Sequence, residues 1–260
     1  MHSKEEKLQE FGRLLDILDR LRNECPWDRE QTFDSLRPLT VEETFELTDA
    51  VFSKDMSLIK KELGDVLLHI LFYSKIADEN DEFDIFDVCK SLNDKLIFRH
   101  PHVFGQVDAK TAETVSQNWE KLKLKEKDGN HSVLAGVPSA LPALIKAYRI
   151  QDKARSAGFD WEKPEQVWDK VREEMNELQT EISAHDADKM EAEFGDLLFS
   201  IINAARLYGI NPENALERTN RKFIKRFNYL ETNTLANGID LKKMSLAQMD
   251  VIWEEAKKID

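Results

Sequence analysis

Glu42, Glu43, Glu46, Glu62 and Asp65 form an acidic set that the chain repeats as Glu173, Glu174, Glu177, Glu193 and Asp196, every member displaced by 131 positions. Each set reads E-E-x-x-E and, after a gap, E-[LF]-G-D-[VL]-L. Acid scattered over a surface does not repeat in register. On a helix, residues three and four apart share a face, so Glu174 and Glu173 each sit with Glu177, and Glu193 sits with Asp196. If a short turn joins the two helices, four carboxylates converge across the pair, and without a counter-charge they repel. Oxygen-only ligands select a hard divalent ion, Mg²⁺ or Mn²⁺. The competing reading is a solvated acidic face, the ordinary fate of helical glutamates. Repetition in register and the apolar flank Leu197-Leu198-Phe199 weigh against it.

Cations accompany the acids. Lys170 precedes Glu173 by three and Glu174 by four, and Lys189 precedes Glu193 by four. Asn220-x-Lys222-x-x-x-Arg226 repeats Asn93-x-Lys95-x-x-x-Arg99 at an offset of 127. A hard metal beside several cations suits a polyphosphate, whose charge must be neutralised before attack at phosphorus. Taken alone, Lys222 and Arg226 fit an exposed helix face equally well. No G-x-x-x-x-G-K-[ST] loop occurs, so a nucleotide here is not held by a P-loop. A di-iron bundle would carry Glu-x-x-His, and Asp65 and Asp196 occupy that last position. His69 has Ser200 as its counterpart and reads as a bundle-interior or interface residue; His100 and His102 read as loop.

The elements that must position these groups are helices. Leu8, Phe11, Leu15 and Leu18 predict an amphipathic helix over 4–23, ended by a loop at Cys25-Pro26-Trp27-Asp28. Thr40-Val41-Glu42-Glu43 reads as a capping box opening the next helix. Further helices are expected over 56–78 behind Asp55, 85–98 behind Asp84, and 112–127. Glycines and prolines between 128 and 142 mark a linker. The second half gives helices over 144–157, from Pro164, from the His185-Asp186 turn to Gly209, from Asn211-Pro212 to 234, and a short one behind Ser245. Gly195 inside a helix costs about 1 kcal/mol, for which close helix approach is the expected reason. With no alternating strand, the chain is read as all-α: two tandem four-helix-bundle-like domains over 1–127 and 143–260, joined by a linker over 128–142.

Bulk properties narrow the function classes. The net charge of −13, from 37 basic and 50 acidic residues, argues against direct nucleic-acid binding or an anionic membrane surface. Cys25 and Cys89 are the two cysteines, far apart and outside zinc spacing, so a reducing cytoplasm is the default location. No apolar run approaches a membrane span, and the charged Lys4-Glu5-Glu6-Lys7 segment does not resemble a signal peptide.

E-E-x-x-E followed by E-x-x-D in an all-α repeat resembles the MazG family of nucleoside triphosphate pyrophosphohydrolases. Cys25-Pro26-Trp27-Asp28-x-x-Gln31-Thr32, Arg99-His100-Pro101-His102-Val103-Phe104 and Gly158-Phe159-Asp160-Trp161 are similar to tandem-domain MazG proteins over nearly the whole chain. The resemblance implies Mg²⁺-dependent hydrolysis of NTPs or dNTPs to the monophosphate and pyrophosphate, a homodimer, and a nucleotide-pool housekeeping role. It implies that Glu174, Glu177, Glu193 and Asp196 hold metal with Glu173 in support. A second metal site would be Glu43, Glu46, Glu62 and Asp65. Lys170, Lys189, Lys222 and Arg226 would bind phosphates, and Trp253 would either stack on the base or pack the last helix. At the 131 offset Lys170 becomes Leu39 and Lys189 becomes Leu58, so the C-terminal copy is expected to carry most of the activity. The rival readings are a non-enzymatic helical scaffold and a phosphohydrolase that cuts elsewhere.

Overall fold

The computed structural model describes residues 1–107, 111, 114, 115, 122 and 132–259. The chain divides into two compact units, Met1–Ala109 and Lys110–Asp260. Every regular element among the described residues is helical. Most of the helix expected over 112–127, of which only 114, 115 and 122 are described and are helical, and the first part of the expected linker lie outside them.

The N-terminal unit has four long helices, α1 (Lys4–Glu24), α3 (Phe33–Ser53), α4 (Met56–Asp78) and α5 (Ile85–Arg99), with single turns α2 (Pro26–Arg29) and α6 (Pro101–Phe104). Ser3 and Glu6 close a reciprocal capping box on α1. Leu18 is buried in the core with Leu36, Leu71, Phe72 and Ile76, and Phe11 and Leu15 pack against it, whereas Leu8 points away from it. Cys25 is extended, and Pro26 then opens α2 rather than a loop, because proline's fixed φ suits a first helical position. Likewise His100 ends α5 and Pro101 opens α6 where loop was expected.

The largest difference from expectation is the start of α3. The reciprocal cap is Thr32 with Ser35, eight residues before Thr40. The helix runs through Pro38, which cannot supply the i→i−4 hydrogen bond to the Asp34 carbonyl; Asp34 is exposed, so water can take that place. Thr40 instead turns inward, its hydroxyl 2.8 Å from His69 Nδ1 and 2.6 Å from the Tyr73 hydroxyl. His69 is buried as expected, and burial lowers its pKa.

The C-terminal unit contains α7 (Ala143–Ser156), α8 (Val167–Ala184), α9 (Ala187–Leu207), α10 (Pro212–Ala236) and α11 (Leu246–Ala256). Its buried apolar residues include Val167, Val171, Leu178, Ile202 and Leu230. Pro164 opens a 3₁₀ turn, Pro164–Gln166, that leads into α8. Gly158 ends α7 at φ +93°, with its own N–H on Arg155 O and the Phe159 N–H on Ala154 O, so the residues after it fold back as a loop.

One hairpin is built twice. α3 packs along α4, and α8 along α9. Both turns use two residues: Lys54 at φ +59° then Asp55, and His185 at φ +57° then Asp186. In each, the left-handed residue reverses the chain and the aspartate caps the next helix; Asp55 accepts from the Ser57 and Leu58 amides, Asp186 from Lys189. A two-residue turn makes the helices antiparallel neighbours, which brings E-E-x-x-E opposite E-x-x-D. Gly64 and Gly195 need another explanation than packing within the chain, since a Cβ at either would meet nothing within 4 Å.

Candidate active site

In the C-terminal hairpin, one oxygen each of Glu174, Glu177 and Glu193 lie within 4.8 Å of one another. Glu174 is buried, Glu193 half-buried and Glu177 exposed. Burial, then a hydrogen bond that protonated Glu177 donates to Glu174 and the charges of Glu174, Glu193 and Glu173, raise the pKa of Glu177. Asp196, one turn after Glu193, is exposed and outside this triplet, but it lines an adjoining cleft together with Glu174. Glu173 is exposed and bound by Lys170.

The N-terminal hairpin selects a different three of its four acids. Glu43, Glu62 and Asp65 converge within the same 4.8 Å, while Glu46 stands outside. The pKa of Glu43 is raised by burial and by the charges of Asp65, Glu46 and Glu62.

Two buried carboxylate oxygens bear on whether a cation fits these clusters. Glu62 Oε2 and Glu193 Oε2 are both buried with no hydrogen-bond partner. These are the same atom of the same repeated residue. A buried, unmatched carboxylate oxygen costs more than a neutral one, and two other carboxylates stand beside it in each case. An all-oxygen donor set of this kind fits a hard divalent ion.

Cations are arranged differently in the two units. Lys170 Nζ lies 2.8 Å from Glu173 and 2.6 Å from Glu174, and these hydrogen bonds raise its pKa strongly. Leu39, its counterpart, packs against the N-terminal core. There Lys61 takes the corresponding task, 2.9 Å from Glu62 and 3.4 Å from Asp65, and its own counterpart is Ala192. Lys61 was not singled out in the sequence, although a lysine beside only one of two repeated glutamates was a visible asymmetry. Lys189 lies at 3.5 Å from Asp186 and 3.8 Å from Glu181, at the hairpin turn, and not against Glu193. Lys222 and Arg226 are one turn apart on α10. Trp253 is half-buried on α11 with its ring centroid 5.1 Å from that of Phe223, a packing contact for the last helix.

Beside the C-terminal carboxylates opens a cleft of about 660 Å³. Lys170, Glu174 and Asp196 stand at its acidic side, and Phe159, Trp161 and Phe199 supply aromatic walls. Arg206 and Asp160, both lining it, form a bidentate pair, with Nη1 to Oδ2 at 3.0 Å. Burial would push the Asp160 carboxyl up, but hydrogen bonds from Arg206 and the Trp161 amide together hold it below the usual carboxylate range. The pair anchors the loop after Gly158, and with it Phe159 and Trp161, to α9. Asp160 and Arg206 are 46 residues apart, so no local pattern announces the pair.

The fold and site define an all-α protein with a doubled, carboxylate-rich helix hairpin. The model of the MazG nucleotide pyrophosphohydrolase domain matches residues 31–104 and again 162–230. A nucleoside triphosphate pyrophosphohydrolase of Escherichia coli is 40% identical over 258 residues, covering 96% of this chain and 98% of the relative. The nucleoside triphosphate pyrophosphohydrolase/pyrophosphatase MazG of Thermotoga maritima is 42% identical over 250 residues, 95% of each. YabN of Bacillus subtilis is 44% identical over 99% of this chain, which spans 54% of that longer protein. The chain belongs to the MazG family of nucleotide pyrophosphohydrolases.

Proposed function

We propose that this chain hydrolyses nucleoside triphosphates, ribo- or deoxyribo-, between the α and β phosphates, releasing the monophosphate and pyrophosphate, with Mg²⁺ bound and Mn²⁺ as its substitute. The observation that carries the reading is a juxtaposition. Converging Glu174, Glu177 and Glu193, with the unmatched Glu193 Oε2, adjoin an aromatic cleft of nucleoside size. Family membership and the names of the relatives point the same way.

In this reading Glu174, Glu177, Glu193 and Asp196 hold the ion, with Glu173 in support. A bound divalent ion supplies neutralisation of the phosphate oxygens. The chain's own groups do the rest. The carboxylates orient a water toward the α phosphorus, opposite the departing pyrophosphate. Lys170 is tethered to Glu173 and Glu174, which places its ammonium where the cleft meets the acids, ready for phosphate oxygens. Lys189, Lys222 and Arg226 are the further phosphate-binding groups. The cleft takes the nucleoside, and Trp253 stays with α11.

The C-terminal unit, whose limits are read as 143–260 after a linker over 128–142 and a first domain over 1–127, carries most of the turnover. Replacement of Lys170 by the core residue Leu39 supports that ranking. Glu43, Glu46, Glu62 and Asp65 form the second metal site, with Lys61 bound to its acids. A homodimer is supported by an apolar stripe on α9, where Phe194, Leu198 and Ile201 are exposed at one-turn spacing. No described helix is long and apolar enough to cross a membrane, which accords with a cytoplasmic housekeeping role on the nucleotide pool.

The deciding experiment is product chromatography of ATP, CTP, GTP, UTP and their deoxy forms after incubation with Mg²⁺. Pyrophosphate plus monophosphate is expected. Orthophosphate plus diphosphate would move the cut, and no product would return the chain to a scaffold.

A further inference from the structure

Gln151 is a buried polar residue with half of its amide unaccounted for. It lies on α7, is 6% exposed, and lines the cleft. Its Nε2 donates to the main-chain oxygen of Phe199 on α9 at 2.8 Å. Only the NH₂ end of an amide can donate to a carbonyl, so the remaining end is the acceptor Oε1. Oε1 is buried and has no hydrogen-bond partner. Buried acceptors are almost always matched, which makes this one an indication of a donor that arrives with a ligand.

The surroundings say which kind. Asn203, also lining the cleft, has its Oδ1 engaged by Arg206 Nε at 3.1 Å and Nη2 at 2.8 Å, so its NH₂ is the end left to donate. An acceptor from one amide and a donor from another, in a cleft also lined by the rings of Phe159, Trp161 and Phe199, match the edge of a flat heterocycle that offers an N–H beside a lone pair. Lys170, the phosphate-binding group of the proposed hydrolysis, lines the same cleft as both amides.

We propose that Gln151 is a specificity-determining residue: its Oε1 accepts an N–H from the base edge of the nucleotide, selecting bases that carry such a donor. This rests on the proposed triphosphate hydrolysis and goes beyond it by naming the chemical feature of the base that is read. An amide that accepts but must also hold Phe199 cannot rotate to donate instead, so the selection is directional.

The test compares ATP and CTP with purine-riboside and pyrimidin-2-one-riboside triphosphates, which lack any N–H on that edge. Wild-type protein is expected to favour ATP and CTP by roughly tenfold to hundredfold in kcat/KM, the fold equivalent of an unmet buried acceptor. Gln151→Leu is expected to reduce that preference to near unity. Equal turnover of donor-bearing and donor-less nucleotides by the wild type would overturn the proposal. So would a Gln151→Leu variant that slows both alike and keeps the preference, because that is a packing defect. Should Gln151→Leu fail to fold, Gln151→Met, which keeps the side-chain length and removes the acceptor, must lose the preference; its retention refutes the assignment. If the wild type releases pyrophosphate from no nucleotide at all, it is the pyrophosphohydrolase reading that fails, a result separate from these.

Discussion

Glu193→Gln should stabilise the metal-free protein and abolish its stabilisation by Mg²⁺. Glu193 and buried Glu174 place oxygens within 4.8 Å. Two unit charges at that separation repel by about 3.5 kcal/mol at an effective dielectric constant of 20. Lys170, 2.6 Å from Glu174, and solvent over half-buried Glu193 screen much of this, leaving a net relief of about 1 kcal/mol. A glutamine also puts an NH₂ donor, able to bond the neighbouring carboxylates, in place of the unpaired Oε2 of wild-type protein. About 1 kcal/mol corresponds to a rise in Tm of about 2–4 °C for a chain of this size. The assay is thermal melting in EDTA and in saturating Mg²⁺, run beside pyrophosphate release. Wild type is expected to melt higher with Mg²⁺; the variant is expected to melt above wild type in EDTA, to respond little to Mg²⁺, and to lose about a hundredfold or more in kcat. If the variant melts lower than wild type in EDTA, or keeps the full Mg²⁺ response, the carboxylate triplet is not a cation site.

Glu177→Ala should cost most of the activity at saturating Mg²⁺ and Glu46→Ala much less; comparable loss from both in a pyrophosphate assay would cancel the ranking of the two units. Lys189→Leu should weaken nucleotide binding, read as a raised KM with Tm unchanged; unchanged kinetics would remove its phosphate role. For pH, the folded-state pKa values of Glu43 and Glu177 are raised, so these groups favour the fold while protonated and oppose it as pH climbs through them. Metal-free stability should therefore gain at mildly acidic pH, and Mg²⁺ binding should release protons, a quantity measurable by calorimetry in buffers of different ionisation enthalpy. Asp160 has the opposite sign: its folded pKa is depressed, so its contribution is present above the unfolded value and lost as pH falls through the folded one. Asp160→Asn leaves a nearly buried Arg206 with half its partner and should cost about 2–4 kcal/mol by denaturant titration, with nucleotide affinity falling as the loop carrying Phe159 and Trp161 loosens.

Much of the fold could be read from the sequence because its local signals are strong. Asp55 and Asp84 cap α4 and α5 at the residues expected, since a side chain that accepts two amide protons fixes a helix start within one residue. The repeated acids predicted the hairpin pairing, and the turn geometry at Lys54 and His185 follows from the same repeat. The start of α3 was misplaced because Thr40 has capping chemistry and Pro38 suggests a barrier. The competing cap at Thr32 won, and Thr40 was needed against His69 and Tyr73. What stayed hidden is long-range polar matching. Gln151 meets Phe199 across 48 residues and Arg22 meets Glu79 across 57, and neither spacing has a period that a linear pattern can show. The cleft belongs to the same category, since its walls come from α7, the loop after it, α8 and α9 together.

The broken symmetry between the units is informative because it is reciprocal. Both retain the hairpin turn, the converging acids and the same unmatched glutamate oxygen, Glu62 Oε2 and Glu193 Oε2. What differs is where the lysine comes from. In the C-terminal unit Lys170 reaches the acids from the first turn of α8, on the side shared with the cleft. In the N-terminal unit that position is the core residue Leu39, and Lys61 instead reaches Glu62 and Asp65 from within their own helix. A lysine at the mouth of a cleft can exchange its carboxylates for phosphate oxygens when a ligand enters. A lysine beside its own glutamate on α4 neutralises the cluster without needing one, and so lowers the demand for an external cation. The same repeated acids thus support two outcomes, a site completed by ligand and a site partly completed by the chain. The position of one lysine, more than the carboxylates themselves, separates the unit expected to turn substrate over from its copy.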